Sequence, residues 1–311
     1  MDTKTKVKIG FEYHGLPLIE GKIEEMKKAD LVIAESIPED FDEFKKAETD
    51  EERRKIAEQN PKVGDPEMFY QESKLLLDIW ENIEAIGVVT GQHKTVQKLE
   101  EKDPDVLKAL EKGEITPEQQ AKWIKLRDKY RAKNIYEDVL KKQEHQGKNI
   151  YIQAGAIHTL LYDNLEKMTQ DEENIELERI FLPKKELSKR TGIDEEDIDT
   201  EDLFKPTEKL TRMELLNKET VDNTWKMREL KDNDKDPEKY FKEKYSSNWK
   251  DKLKEAEKTE ERIKELWKKN EEYKSKLKEI KEKLIDEGFS PSEARGEARL
   301  RILAQNLKKR Q

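Results

Sequence analysis

The chain has 311 residues, of which 43% are charged and 33% hydrophobic; it has no cysteine and a formal net charge of −9. The lack of cysteine excludes disulfides, thiolate metal ligands and a cysteine nucleophile, and it is compatible with a reducing compartment. So low an apolar fraction places part of the chain outside any core, in extended helices or solvated insertions. No run approaches the length of a membrane span, and "MDTKTKVKIGFEYHG" lacks the apolar stretch of a signal peptide, so a cytoplasmic protein is expected.

Residues 6–15 read as a strand, with Val7, Ile9 and Phe11 alternating against Lys8 and Gly10. Residues 17–28 suit a short helix, and "DLVIAES" reads as a buried strand ending at Glu35. Residues 40–65 are polar, with a helical piece and an "NPKVGDP" break. Helical spacing of Phe69, Leu76, Ile79, Trp80 and Ile83 marks a helix over 66–86, and "IGVVTG" reads as a short strand before His93. A charged helical stretch follows over 94–112. Thr116, Pro117 and Gln119 then have the pattern of a capped helix start, for a helix running to about 146. "NIYIQAG" is a strand, 157–167 a helix, and "NIELERIFLP" a strand closed by Pro183. Strands alternating with helices predict an α/β core over residues 1–183.

Beyond Pro183 the pattern changes. Residues 184–237 are acidic and broken by Gly192, Pro206 and Pro237, the composition of a linker or small helical cap. Residues 238–311 are helix-forming throughout. From residue 241 onward the net charge is +6, against −15 for the remainder, so this basic tail suits an acidic partner or the acidic body of the same chain. Ala256, Ile263, Asn270, Leu277 and Leu284 recur every seven residues, with Thr259, Leu266, Tyr273 and Ile280 three further on. This is a coiled-coil-like seam over 253–284 with one polar core position. "SPSE" at 290–293 is a capping box opening a further helix. The seam therefore pairs with a second chain, as a homodimer or with a partner helix, or with the last helix folded back upon it.

Two stretches share one layout. "VKIGFEYHGLPLIEGKIEEMKKADLVIAES" and "IYIQAGAIHTLLYDNLEKMTQDEENIELERI" each run strand, glycine, histidine, helix, strand. If both enter one parallel sheet, His14 and His158 stand at carboxyl ends of strands, where open α/β sheets place their ligands. A strand-end histidine can bind a divalent metal or act as a general base. Glu12 and Glu35 also fall near strand ends, and a His/Glu set with an open position activates water. Gly155 lets backbone approach a ligand and leaves N–H groups free. Arg127 and Arg131, four apart, share a helix face and can pair with glutamates or clamp a carboxylate or oxyanion. His145, among charged residues near a helix end, reads as solvated or as a helix-terminal charge partner.

These pieces resemble the TraB/GumN/Tiki family, within a superfamily that includes ChaN-like proteins and erythromycin esterases. The matching segments are "GFEYH" through "ADLVIAE", the Arg-Asp helix "LRDKYRAKNI", and "GAIH" with its helix and strand, which together frame residues 6–183. The resemblance implies a compact α/β fold with facing histidine motifs, in a family of metal-dependent peptidases, metal-independent esterases, haem binders and regulators. Carried over by position, it implies His14, Glu35 and His158 as the metal or acid/base set, with Arg127 as the arginine of the helix motif. The first motif departs from the family's Gly-x-x-His, because three residues separate Gly10 from His14.

The expectation is a metal-assisted hydrolase acting on a peptide or small molecule, with Mn, Co or Zn as the divalent ion. His14, Glu35 and His158 would be the ligands, Glu12, Glu35, Arg127 and Arg131 the catalytic groups, and Gly155 a cofactor-approach position. The alternative is a non-enzymatic protein that binds a peptide or ligand through the core and a partner through the helical tail. A nucleic-acid role for the basic end is disfavoured by its interleaved glutamates and the acidic whole. The sequence has no phosphate loop, dinucleotide fingerprint, His-Glu-x-x-His or nucleophile elbow.

Overall fold

A computed structural model describes residues 4–13, 20–35, 41–59, 66–82, 84–86 and 92–309. His14 and residues 87–91, which hold most of the expected "IGVVTG" strand, lie outside the described residues. The elements in order are β1 (Thr5–Glu12), α1 (Glu20–Lys28), β2 (Leu31–Ile33), α2 (Phe41–Lys46), α3 (Asp50–Gln59), α4 (Pro66–Asn82) and β3 (Glu84–Ile86). Next come α5 (Gln92–Lys102), α6 (Pro104–Lys112), α7 (Pro117–Ile135), β4 (Asn149–Gly155), α8 (Leu160–Thr169) and β5 (Ile175–Phe181). The remainder is helical: α9 (Leu182–Thr191), α10 (Pro206–Leu216), α11 (Lys218–Asp232), α12 (Pro237–Tyr245), α13 (Trp249–Asp286) and α14 (Pro291–Lys308).

The chain forms two compact units, each discontinuous in sequence. One comprises Met1–Lys98, Leu126–Leu203 and Lys276–Gln311; the other comprises Leu99–Lys125 and Phe204–Ser275. A division at 183 and 237 therefore does not coincide with these units.

The first unit carries a parallel sheet in the order β3-β2-β4-β1-β5. β1 lies between β4 and β5, in register from Lys6 opposite Asn149 to Glu12 opposite Gly155. The connection from β1 to β2 crosses β4, whereas that from β4 to β5 crosses β1 in the opposite direction. Right-handed crossovers in opposite directions put their helices on opposite sheet faces. Accordingly α8 packs through Leu161 and Leu165 with Val7, Ile9, Phe11, Ile150 and Ile152, joined there by Ala132 and Ile135 of α7. On the other face Met26 of α1 meets Val32, Tyr151, and Leu75 and Ile79 of α4. β1 and β4 are thus the strands from which crossovers leave in opposite directions, the position at which open α/β sheets commonly bind ligands.

Gly10 is required by packing. A Cβ at this position would overlap the ring and hydroxyl of Tyr151 on the neighbouring strand. Tyr151 is buried, its hydroxyl has no partner among the described residues, and burial pushes that hydroxyl well above its usual pKa. The sequence makes room for the ring by omitting a side chain beside it.

The helical remainder is ordered by amphipathic packing. The acidic stretch over 184–237, expected to be a linker or a small helical cap, is mainly helical, through most of α9, then α10 and α11 with short 3-10 turns. Pro183 sits in the first turn of α9, where its missing N–H costs nothing. Thr116 and Gln119 cap α7 reciprocally, as expected, but α7 stops at Ile135 and continues as a π turn over Tyr136–Leu140. His145 closes a 3-10 turn and is 2% exposed, so it is buried and not solvated. Its neighbours Val139 and Leu140 belong to the core, and this draws the segment inward.

The heptad seam is covered from within the chain. In the second unit Ala256 meets Met227 and Phe241, and Ile263 and Leu266 meet Leu210, Met213 and Val221. In the first unit Leu284 packs on Ala294 and Ala298 of α14, which folds back through the capping box at Ser290. These buried positions are not available to a second chain, so a homodimer or partner helix through 253–284 would need them uncovered first. α14 is tied to α9 by a bidentate pair, with both terminal nitrogens of Arg190 2.9 Å from the Glu297 carboxylate.

Two outcomes test this packing. Gly10→Ala is expected to destabilise the protein by roughly 1–3 kcal/mol through overpacking, read as a lower urea midpoint, with partial recovery in Gly10→Ala/Tyr151→Leu. Burial raises the Glu297 carboxyl, but hydrogen bonds from Arg190 and Arg301 outweigh it and hold the group below its ordinary range. A depressed carboxyl stabilises the fold above its unfolded pKa and loses that contribution as pH falls through the folded value. Glu297→Gln is therefore expected to lower the melting temperature at neutral pH and to flatten its acid-side decline.

Candidate active site

The site lies at the carboxyl ends of β2 and β4, facing α7. After β4 the chain makes a tight turn in which the His158 N–H donates to the Gly155 carbonyl at 2.9 Å, while the Ala156 N–H donates to the Glu12 carbonyl at 2.6 Å. This turn delivers His158, 4% exposed, just ahead of α8. β2 ends two residues before Glu35, which is 4% exposed. On α7, Arg127 and Arg131 share a face because they are one turn apart, and Asp128 is fully buried beside them.

His158 is held between two carboxylates. Its Nδ1 lies 2.5 Å from Asp128 Oδ1, and its Nε2 lies 3.6 Å from Glu35 Oε1. A carboxylate can only accept, so the Nδ1 proton points at Asp128 and Nε2 is directed to the Glu35 side. Glu35 also takes the Gly155 N–H on Oε2, and Arg127 Nη2 stands 3.4 Å from its Oε1. Arg131, 1% exposed, donates through Nη2 to the Gln153 carbonyl at 2.5 Å. Burial lowers the Arg131 pKa and Arg127 adds to this, while Glu35 and Asp128 oppose it. The Nε and Nη1 atoms of Arg131, Nε of Arg127 and Oδ2 of Asp128 are buried without hydrogen-bond partners among the described residues.

Of the expected site residues, Glu35, Arg127, Arg131, Gly155 and His158 come together. His14 lies outside the described residues. Glu12 ends β1 on the α1 side, where Lys22 Nζ donates to it at 2.9 Å and Gln153 Nε2 donates to the same oxygen. It is paired there, not beside His158, because alternate residues of a strand face opposite ways. The Gly155 N–H, expected to be free for a ligand, is taken by Glu35.

Sequence reasoning did not single out Asp128, Lys22 or Gln153. Asp128 had a signal, since it sits inside "LRDKYR", adjacent to one site arginine and one turn from the other. Lys22 and Gln153 had none, because only the sheet brings them to Glu12.

No family model, curated protein or solved structure matches this chain. Among the described residues no helix is long and apolar enough to cross a membrane.

The Asp128 contact has a measurable consequence. Asp128→Ala removes the partner of the buried Nδ1–H and is expected to cost about 1–3 kcal/mol. Denaturant titration would show this, and the nitrogen shifts of the His158 ring would show the loss of a single tautomer.

Proposed function

We propose that the chain is a hydrolase in which His158 acts as the proton-transfer group at the carboxyl ends of β2 and β4. The observation that carries this reading is the imidazole fixed between Asp128 and Glu35. A carboxylate on Nδ1 sets the tautomer and ring orientation and leaves Nε2 as the acceptor, the arrangement a general base needs. The guanidinium groups of Arg127 and Arg131 supply positive charge in a water-poor setting, where it is worth most to a developing oxyanion. Arg131, buried with donors unspent, supports a substrate that develops or carries negative charge, such as the tetrahedral species of ester or peptide cleavage. This is the class of chemistry that the resemblance to the TraB/GumN/Tiki group implies.

A metal-assisted version has one observation in its favour: Nε2 of His158 and Oε1 of Glu35 converge to 3.6 Å. A divalent ion there would polarise a carbonyl and activate water. Among the described residues, however, no set of three or more His, Asp or Glu side chains is arranged to hold an ion, and a guanidinium already neutralises Glu35 Oε1 at 3.4 Å. The described donors alone do not fit a metal. The metal reading rests on His14 as a third ligand.

The test joins metal analysis to turnover. Wild type and His158→Ala, both without an affinity His-tag, would be assayed on ester and peptide panels before and after chelation. Chelation-resistant hydrolysis that falls by about 10²–10⁴-fold in His158→Ala supports the acid–base reading. Stoichiometric metal lost in the variant, with chelator-sensitive activity, would replace it with the metal-assisted one. Should neither panel be cleaved under any condition, the hydrolase reading fails and a binding role for the core takes its place.

A further inference from the structure

The second unit holds a pocket of about 550 Å³ that has no part in the His158 site. It lies among the loop before α7, α10, α11 and α13. Its walls are apolar, with Leu210, Met213, Val221 and Ile263 contributed from the helical core. Trp225 and Trp267 stand at its edge, 37% and 41% exposed, although indoles of this size ordinarily seek cover. The volume falls within the range of small-molecule sites, which combine apolar walls with a few placed polar groups.

The polar groups here have one sign. Glu114, Glu118 and Glu214 line the pocket, and no lysine or arginine does so among the described residues. Glu214 is 6% exposed and accepts the Trp225 indole N–H at 3.1 Å. Basic groups nearby act from outside. Lys122 reaches Glu118 only at 3.9 Å, and Arg228 lies 5.2 Å from the Trp225 ring while also facing Glu260. Desolvation holds the Glu214 carboxyl above its ordinary range; Glu118 and Asp222 add to this, while the indole N–H and Lys218 offset it in part. A buried acid in that condition is stabilised by a cation brought next to it. Indole faces attract the same kind of charge, most strongly when it is desolvated.

We propose that this pocket binds a small hydrophobic amine in its ammonium form, with the nitrogen donating to Glu214, the hydrocarbon part among Leu210, Met213 and Ile263, and the rim closed by Trp267. The occupant is set by charge complementarity. An apolar neutral molecule would leave Glu214 buried without a counter-charge, and an anion would meet three carboxylates. The His158 site has no role in this inference, which stands or falls separately from the proposed hydrolysis.

The test is isothermal titration of the full chain with phenethylammonium chloride, 3-phenylpropan-1-ol and 3-phenylpropanoate, three probes of similar shape and different charge. Saturable binding of the ammonium, about tenfold weaker binding of the alcohol and none of the carboxylate is the expected order, a tenfold ratio being a usual worth for one charge-assisted hydrogen bond. Glu214→Gln is expected to abolish the preference for ammonium over alcohol, and Trp267→Ala to weaken both. Equal affinity for ammonium and alcohol, an unchanged preference in Glu214→Gln, or no saturable binding of any probe overturns the proposal. If Glu214→Gln fails to fold by circular dichroism, Glu118→Gln and Trp267→Ala, both at more exposed positions, take over the test. Wild-type affinity for phenethylammonium in both of these overturns it as well.

Discussion

The pairing of β1 with β4 is the constraint on which the first unit depends. These strands are distant in sequence, so their parallel ladder closes a long loop, and that entropy is recovered only when both faces are buried. Val7, Ile9 and Phe11 supply one face together with Ile150, Ile152 and Ala154. The other face admits Tyr151 because Gly10 leaves room. Register then does the rest. With Glu12 opposite Gly155, the turn after β4 bonds back to the end of β1, and His158 is carried to the carboxyl end of the sheet.

Around His158 the chain buries a set of ionisable groups that no stability argument would select. Asp128, Arg131, Glu35 and His158 are each less than a tenth exposed, and on the opposite face Glu12 and Lys22 are also buried. Removing ions from water costs several kcal/mol each, and partners repay this only when the geometry is good. Some of these partners are good, such as Asp128 with His158 and Lys22 with Glu12. Others leave donors unspent, as at Arg131. Buried charge is thus concentrated in one place, on rigid elements and beside the strands whose crossovers leave in opposite directions.

The second unit follows a different logic. It has no sheet among its described residues, and its order comes from amphipathic helices that bury one stripe each. α13 is the spine: its heptad stripe would suit a coiled coil, but α10, α11 and α12 meet it first. Intrachain partners are present at high effective concentration, and here they cover Ala256, Ile263 and Leu266 of that stripe. What this packing leaves over is a recess edged by two indoles and three carboxylates.

By itself the sequence determined the local elements. Alternation in "KVKIGF" and the apolar run in "NIYIQAG" specify strands, and "TPEQ" and "SPSE" specify helix starts, because these signals act over a few residues. It also brought Glu35, Arg127, Arg131, Gly155 and His158 into view as candidates, since strand ends and a one-turn spacing can be read locally. Other matters were decided by tertiary structure alone: that Glu12 turns away to Lys22, that Asp128 grips the imidazole, that His145 is buried, and which of the alternatives for the acidic stretch and the seam is realised. Each of these depends on which distant groups share a low-dielectric space, a property of the folded ladder and the helix packing that no short stretch of chain contains.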